Sequence, residues 1–248
     1  MSRGLISEDI LTDIADAIRE KADITSPISV RVMADAIRCL YYYPKDLLDE
    51  YLQDTITSYT DEEITSIIDY AFKKCPSLTS INLPAVTSIG SQSFYNCTAL
   101  ASINLPKITS IDGYSAFEGC TALTSINLPL VTSFGYYTFR NCTSLTSLTS
   151  INLPSVTTIG FCTFSDCTAL ASIDLPSVTS IGYGTFSGCT ALASINLPSV
   201  TTIGDSVFSG CTALTEIHFS AANQSTIEAN SYYSDKWGAT NATIYFDL

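Results

Sequence analysis

Positive charge is scarce in this chain. It carries 11 Lys and Arg against 24 Asp and Glu, a formal net charge of −13. Nucleic acids and anionic membrane surfaces are polyanions that need clustered basic side chains, so neither is an expected partner. Histidine is rarer still, with His218 alone. A Ser–His–Asp nucleophile needs an imidazole held between a carboxylate and a serine. Serine is the default residue of this sequence, so serines near His218 carry no information, and His218 reads as a surface residue. No catalytic residue is assigned. No glycine-rich run matches a phosphate loop or a dinucleotide fingerprint. A zinc site wants paired Cys or His at short spacing, and Cys162 and Cys167 do not supply one, because Cys167 belongs to a repeated inward position. Neither a metal nor a cofactor is expected. No apolar run approaches the roughly 20 residues of a membrane span, so no membrane insertion is expected. Met1-Ser2-Arg3 runs into acidic residues without the apolar stretch of a signal peptide, so synthesis in the cytoplasm is expected.

What the sequence has is a repeat. Residues 1–75 hold 15 of the 24 acids and 8 of the 11 bases. From Pro76 to Ser220 the only charges are Lys107, Arg140, Asp112, Glu118, Asp166, Asp174, Asp205 and Glu216. Through this neutral region runs one unit, V-T-S-I-G-x-x-x-F-x-x-C-T-x-L-x-S-I-N-L-P-x. Its copies begin at Ile64, Val86, Ile108, Val131, Val156, Val178 and Val200, in steps of 22, 22, 23, 25, 22 and 22 residues. Asp112 accounts for the 23-residue step, and an inserted Thr-Ser-Leu around Leu148 for the 25-residue step. The protein has nine cysteines. Seven of them (Cys75, Cys97, Cys120, Cys142, Cys167, Cys189 and Cys211) occupy one repeat position. An odd number of equivalent cysteines reads as a buried column of small reduced side chains rather than a set of disulfides.

Each unit contains a segment such as Leu100-Ala101-Ser102-Ile103-Asn104-Leu105-Pro106. Ile103 and Leu105 alternate with Ser102 and Asn104, which is the pattern of a short strand with one apolar face. Pro106 removes a backbone donor and ends it. Pro84, Pro129, Pro154, Pro176 and Pro198 repeat the signal. Phe94 and Cys97 stand at i and i+3, on one face of a helical or 3₁₀ turn. The glycines that follow the Ile read as turn residues chosen for backbone conformation. A single coil cannot bury its Leu, Ile, Phe and Cys. Stacked coils can, and their strands then form a parallel sheet. At about 4.8 Å per strand, seven coils span roughly 30 Å. The fold class is therefore a repeat solenoid with a parallel β-sheet on one face and short helical or 3₁₀ turns on the other, next to a small N-terminal helical hairpin.

The unit resembles the BspA-like (Treponema-type) leucine-rich repeat, L-x-x-I-x-L-P-x-x-V-x-x-I-G-x-x-A-F-x-x-C. The resemblance covers residues 64–219. It implies an α/β leucine-rich-repeat fold and offers no catalytic residues. It also implies binding roles of the kind that bacterial surface adhesins have, with matrix proteins or other cells as ligands.

The ends differ from the repeat. Leu11, Ile14, Ala15 and Ile18 form an apolar stripe, and Val32, Met33, Ala36 and Ile37 form a second, so residues 1–43 read as a helical hairpin for attachment or oligomerisation. The hairpin resembles a module of phage tail or virion proteins, which implies a virion or bacterial cell surface location and a homo-oligomer through residues 7–40. Residues 44–63 are expected to cap the solenoid, with a short helix near 45–52 and a degenerate strand near 55–59. Residues 220–248 are expected to close the other end, with a helix over 221–229, Trp237 covering core and a last strand at 243–246.

Two surfaces are candidates for binding. The outer sheet face carries Ser80/Asn82, Ser102/Asn104, Ser125/Asn127, Asn152, Ser172/Asp174 and Ser194/Asn196, ending at Glu216/His218. It lacks the aromatic and Arg anchors of specific protein interfaces, and reads as a solvated ladder or as a surface for a repetitive ligand such as a glycan. The second surface follows the turn Gly, where Tyr114, Tyr136, Phe161 and Tyr183 stand in consecutive copies, with Tyr95 and Tyr137 nearby. These rings either pack over the Phe/Cys core and each other, or form a platform for a protein or glycan ligand. The candidate ligand-binding residues are Tyr114, Tyr136, Tyr137, Phe161 and Tyr183. The expected function is non-catalytic binding or adhesion. The alternative is a structural spacer of a virion with no ligand of its own.

Overall fold

The computed structural model describes residues 57–146 and 155–248. The hairpin of residues 1–43, the short helix near 45–52 and the insertion around Leu148 lie outside the described residues. The described coils contribute short parallel strands or single bridges to two ladders, and a run of turns. The first ladder comprises β1 (Ser58–Thr60), β3 (Ser80–Asn82), β5 (Ser102–Asn104) and β6 (Ser125–Asn127), then β10 (Ser194–Leu197), β12 (Glu216–Phe219) and β13 (Thr243–Phe246). A bridge from Asp174 to Asn196 belongs to the same face. The second ladder comprises β2 (Ser66–Ile67), β4 (Ser88–Ile89), β7 (Ser133–Phe134), β8 (Thr158–Ile159), β9 (Ser180–Ile181) and β11 (Thr202–Ile203), with an Ile111–Phe134 bridge.

Register follows the repeat. Ser80 pairs with Ser102, and Ile81 with Ile103. Across the one-residue insertion, Ser102 pairs with Ser125. Asp112 is absorbed locally: it accepts hydrogen bonds from Ser110 Oγ at 2.7 Å and Ser133 Oγ at 3.3 Å. A one-residue slip would turn every Ile outward, so the insertion has to bulge rather than shift the strands.

The Phe/Cys segment forms a third ladder. It has the i→i+3 bonds of a 3₁₀ turn, with Tyr95 N–H donating to Gln92 O at 3.2 Å and Cys97 N–H to Phe94 O at 3.2 Å. Left-handed residues interrupt it twice per coil, as at Gln92 (φ 52°) and Asn96 (φ 57°). This backbone turns alternate N–H groups along the solenoid axis. Gln92, Phe94 and Asn96 N–H therefore donate to Tyr114, Ala116 and Glu118 O of the next coil at 2.9, 2.8 and 2.7 Å. Peptide groups that a helix would satisfy within one coil are satisfied between coils.

Inside the three ladders stand two continuous columns. Phe72, Phe94, Phe117, Phe139, Phe164, Phe186 and Phe208 stack with centroids 5.1 to 6.0 Å apart and planes within 7°. Beside them run the cysteines, and none of the described ones forms a disulfide. From Cys97 to Cys211 each thiol of the column donates to the Phe carbonyl of the preceding coil: Cys97 Sγ to Phe72 O at 2.9 Å, Cys142 Sγ to Phe117 O at 3.2 Å and Cys211 Sγ to Phe186 O at 3.0 Å. A small apolar side chain with one weak donor suits this place.

The glycine before the aromatic position has a different cause from the one the sequence suggested. Among Gly90, Gly113, Gly135, Gly160, Gly182 and Gly204 none has a positive φ. A Cβ would instead strike the preceding coil, 2.4 Å from Asp69 N at Gly90 and 2.7 Å from Tyr183 N at Gly204. Close approach of coils, not turn geometry, demands Gly here.

Both ends modify the coil. Tyr59 lies tilted over Phe72, centroids 5.3 Å apart. Asp61 Oδ1 accepts from Glu63 and Ile64 N–H at 2.7 and 3.1 Å, turning the chain into the first coil. At the other end a 3₁₀ turn (Ala221–Asn223) runs into α1 (Gln224–Glu228). Asn223 and Asn230 use side-chain amides to cap the second ladder, donating to Val200 O at 3.2 Å and Ile203 O at 2.9 Å. Trp237 is fully buried against Phe219, with Nε1 donating to Asn230 Oδ1 at 3.0 Å.

Two outcomes follow for the core. Phe139→Ala is expected to cost about 3–5 kcal/mol, because neighbours locked in register cannot collapse into the cavity; denaturant melts measure this. Burial pushes the thiols of Cys120, Cys167 and Cys211 up to about 12. Iodoacetamide at pH 8 is therefore expected to leave the column unlabelled in the folded protein and to label it after denaturation.

Candidate binding site

Tyr114, Tyr136, Phe161 and Tyr183 stand at one position of four successive coils, where the second ladder gives way to the third. They are 44%, 52%, 47% and 50% exposed. Such values place the rings outside the core. Tyr136 and Phe161 also stack on each other, with centroids 4.7 Å apart and planes 11° from parallel. The four rings make a ridge along the solenoid, and Tyr137, half-buried, lies beside it.

Local chemistry fixes the ridge. The two central rings lean over the glycine of the next coil: Tyr136 Cδ1 lies 3.0 Å from where a Gly160 Cβ would stand, and Phe161 Cδ1 lies 2.7 Å from that of Gly182. Two residues beyond the ring, a threonine points inward and holds the glycine carbonyl. Thr138 donates to Gly135 O at 2.8 Å, Thr163 to Gly160 O at 2.9 Å and Thr185 to Gly182 O at 2.8 Å. The working pattern is Gly-aromatic-x-Thr. Sequence reasoning found the aromatics and missed the threonines, although the signal Gly135/Thr138, Gly160/Thr163, Gly182/Thr185 was present. In the second coil, where Ser91 replaces the ring, the equivalent Ser93 hydroxyl is buried with no partner.

The N-terminal end of the ridge is hydrogen-bonded. Gln92 Nε2 donates to Tyr114 Oη at 3.0 Å, and Lys73 Nζ donates to Gln92 Oε1 at 2.6 Å. Lys73 also lies over the rings of Tyr70 and Tyr95, at 4.9 and 5.3 Å. The Tyr70 hydroxyl raises the Tyr114 phenol above its usual range, and the charges of Asp69 and Glu118 add to this. Arg140 covers Tyr137 at 5.7 Å and reaches Glu118 at 3.5 Å and Asp166 at 3.9 Å. Both bases beside the ridge are thus engaged with tyrosines and polar neighbours.

The outer sheet face is as monotonous as its sequence. Ser80, Asn82, Ser102, Asn104, Ser172, Asp174, Ser194 and Asn196 are exposed. It ends at His218, whose ring faces carboxylates at both nitrogens: Nδ1 lies 2.9 Å from Asp247 and Nε2 lies 3.5 Å from Glu216. The ring stacks on Tyr245 at 4.7 Å. An imidazole held this way pins β13 to β12 and offers no nitrogen to a nucleophile. Among the described residues there is no cluster of three or more His, Cys, Asp or Glu side chains that fits a metal ion. No described helix is long and apolar enough to cross a membrane.

The family model described as BspA type leucine rich repeat region matches residues 65–149 and 145–244, in six copies. No curated protein matches the sequence. The crystal structure of a leucine-rich repeat protein from T. pallidum is similar at 32% identity and a TM-score of 0.58, over 64% of this chain and 78% of that one. A leucine-rich repeat protein from Bacteroides ovatus is 23% identical over 75% of this chain and 64% of that one, with a TM-score of 0.31. A leucine rich cell surface protein from Faecalibacterium prausnitzii is 21% identical over 77% and 87%, with a TM-score of 0.35.

The hydrogen bond to Asp247 raises the His218 pKa above the ordinary 6.5, and Glu216 adds to the shift against a smaller opposing effect of burial. The group is raised in the folded state, so its stabilisation of the cap is present below pH 6.5 and lost as pH rises through the folded value. NMR titration of this sole histidine is expected to show that rise, and Asp247→Asn to reduce it. A titration at or below 6.5 in the unsubstituted protein would contradict the clamp.

Proposed function

The chain belongs to the BspA-type leucine-rich repeat family, and from that premise we propose that it is a non-catalytic binding or adhesion protein whose aromatic ridge meets a protein or glycan ligand. Repeats of this family are typically a binding scaffold rather than an enzyme, and proteins that carry them are typically surface proteins. The observation that carries the reading is the exposure of four consecutive rings, Tyr114, Tyr136, Phe161 and Tyr183. Soluble proteins rarely leave contiguous apolar patches uncovered unless something binds there. Aromatic anchors also lose little conformational freedom when they are covered. Tyr137 extends the surface on one flank.

We further propose that residues 7–40 attach or oligomerise the protein on a bacterial or virion surface, leaving the solenoid free to present its ridge. In a phage-tail setting the same arrangement would hold the ridge outward. The spacer reading differs in one respect: a spacer has no use for the rings.

The Tyr136→Ala/Tyr183→Ala variant separates these readings. Both side chains are half exposed, so the fold is expected to survive, with thermal melts within a few degrees of wild type. Glycan arrays and pull-downs from target-cell surfaces are expected to show ligands that wild type retains and the double variant loses by about tenfold or more. Equal behaviour of the two proteins across both assays would leave the spacer.

A further inference from the structure

The stacking of the ridge bears on the class of ligand. Tyr136 and Phe161 occupy equivalent positions one coil apart, with parallel rings 4.7 Å between centroids. Carbon planes in contact stand about 3.5 Å apart. The rings are therefore offset sideways by about 3 Å, and their normals are inclined to the ridge rather than parallel to it. Each ring covers a face of the other. The pair shows solvent its edges, the outer face of each ring and, at Tyr136, a phenol oxygen. A sugar ring binds an aromatic side chain by laying its C–H groups on an exposed π face, and the stack removes two of the four faces at the centre of this ridge.

A second constraint is the repeat distance. Coils paired through parallel ladders stand about 4.8 Å apart, so every second ring recurs at about 9.6 Å. That relates Tyr114 to Phe161 and Tyr136 to Tyr183. A polyproline II helix has three residues per turn and a rise of about 3.1 Å, so one edge of it recurs at about 9.3 Å. Over the length of the ridge the mismatch is a few tenths of an ångström. An α-helix, with a pitch of about 5.4 Å, falls out of step with single coils by nearly 2 Å over three of them. A β-strand repeats its face at about 6.8 Å and matches neither one coil nor two.

The chemistry agrees with the spacing. Polyproline II backbone has no internal hydrogen bonds, so its carbonyls are free to accept. The hydroxyls of Tyr136 and Tyr183 can donate to them. Lys73 and Arg140, the bases nearest the ridge, are occupied by Gln92 and by Glu118 and Asp166. The ridge thus offers apolar edges and neutral donors, which suit an uncharged proline-rich chain.

On the reading that the ridge is a binding site, we propose that its ligand is a proline-rich protein segment in polyproline II conformation, with every third residue seated over alternate rings. Titration calorimetry of the full chain tests this with three probes: an uncharged proline-rich dodecapeptide, a Gly/Ser dodecapeptide, and a β-1,4-linked glucose hexasaccharide. The proline-rich peptide is expected to bind at least about tenfold more tightly than the Gly/Ser peptide, and Tyr136→Ala/Tyr183→Ala to remove that preference. Phe161→Leu, which keeps an apolar edge without the stack, is expected to weaken binding less than the double variant does. Equal affinity for the two peptides overturns the proposal, as does a proline preference that survives the double substitution. Ridge-dependent binding of the hexasaccharide without the proline peptide would overturn the polyproline assignment and leave the binding role standing. If no ligand of wild type on arrays or in pull-downs responds to the double variant, the binding role falls as well.

Discussion

Each coil must place its atoms one strand spacing above those of its neighbour, and everything else in the molecule answers to that register. Three backbone ladders enforce it, two made of short strands and one made of turns. Two-residue strands such as Ser88–Ile89 could not persist alone, since isolated short strands are marginal in water. They hold because the same register stacks Phe139 between Phe117 and Phe164 and sets each cysteine thiol on the carbonyl below it. A fully buried Phe contributes about 1.5–3 kcal/mol, but only when its neighbours in the adjacent coils are in place. Stability is therefore a property of coil pairs, as in other one-dimensional arrays. The glycines belong to this constraint too, for a Cβ at Gly113 would meet Gly90 C at 2.6 Å.

The same register that fills the core produces the ridge. A residue repeated at an outward position is multiplied into a stripe, and four aromatics there become a surface no single coil could offer. Where the position is Asp69, Ser91 or Asp205 the stripe stops. The Gly-aromatic-x-Thr arrangement shows how the rings are seated. Glycine leaves room for the ring from the coil before, and threonine holds the glycine carbonyl from within. The repeated residues serve folding, and the positions that vary between copies carry whatever specificity the surface has.

Much of this was legible in the sequence. The S-I-N-L-P phrase gives one strand per coil, and the spacing of Phe94 and Cys97 correctly sets both inward; the second strand, in V-T-S-I-G, went unread because two residues are too few to show alternation. Trp237 and Thr243–Phe246 were readable as a closing side chain and a closing strand. The third ladder was not, because it depends on left-handed backbone at Gln92, Ser115, Tyr137 and Cys162, residue types that do not advertise that conformation. Four residues further along the signal was plain, in the Asn, Gly and Asp of Asn96, Gly119, Asn141, Asp166 and Gly188, and it was read as part of a helical or 3₁₀ turn. The glycine before the ring was read as a turn residue because sequence shows what a residue permits and not what stands beside it in space. For the ridge, alternation alone could not say whether the rings point in or out; that is decided by the corner between the second and third ladders.

Tyrosine nitration mapped by mass spectrometry tests the central claim most directly, namely that coil register turns one set of rings inward and another outward. In the folded protein, tetranitromethane is expected to modify Tyr136 and Tyr183, about half exposed, well before Tyr59, which is 7% exposed and stacked on Phe72. Modification of Tyr59 at the same rate, or protection of Tyr136 and Tyr183, would contradict the register on which the fold and the ridge both rest.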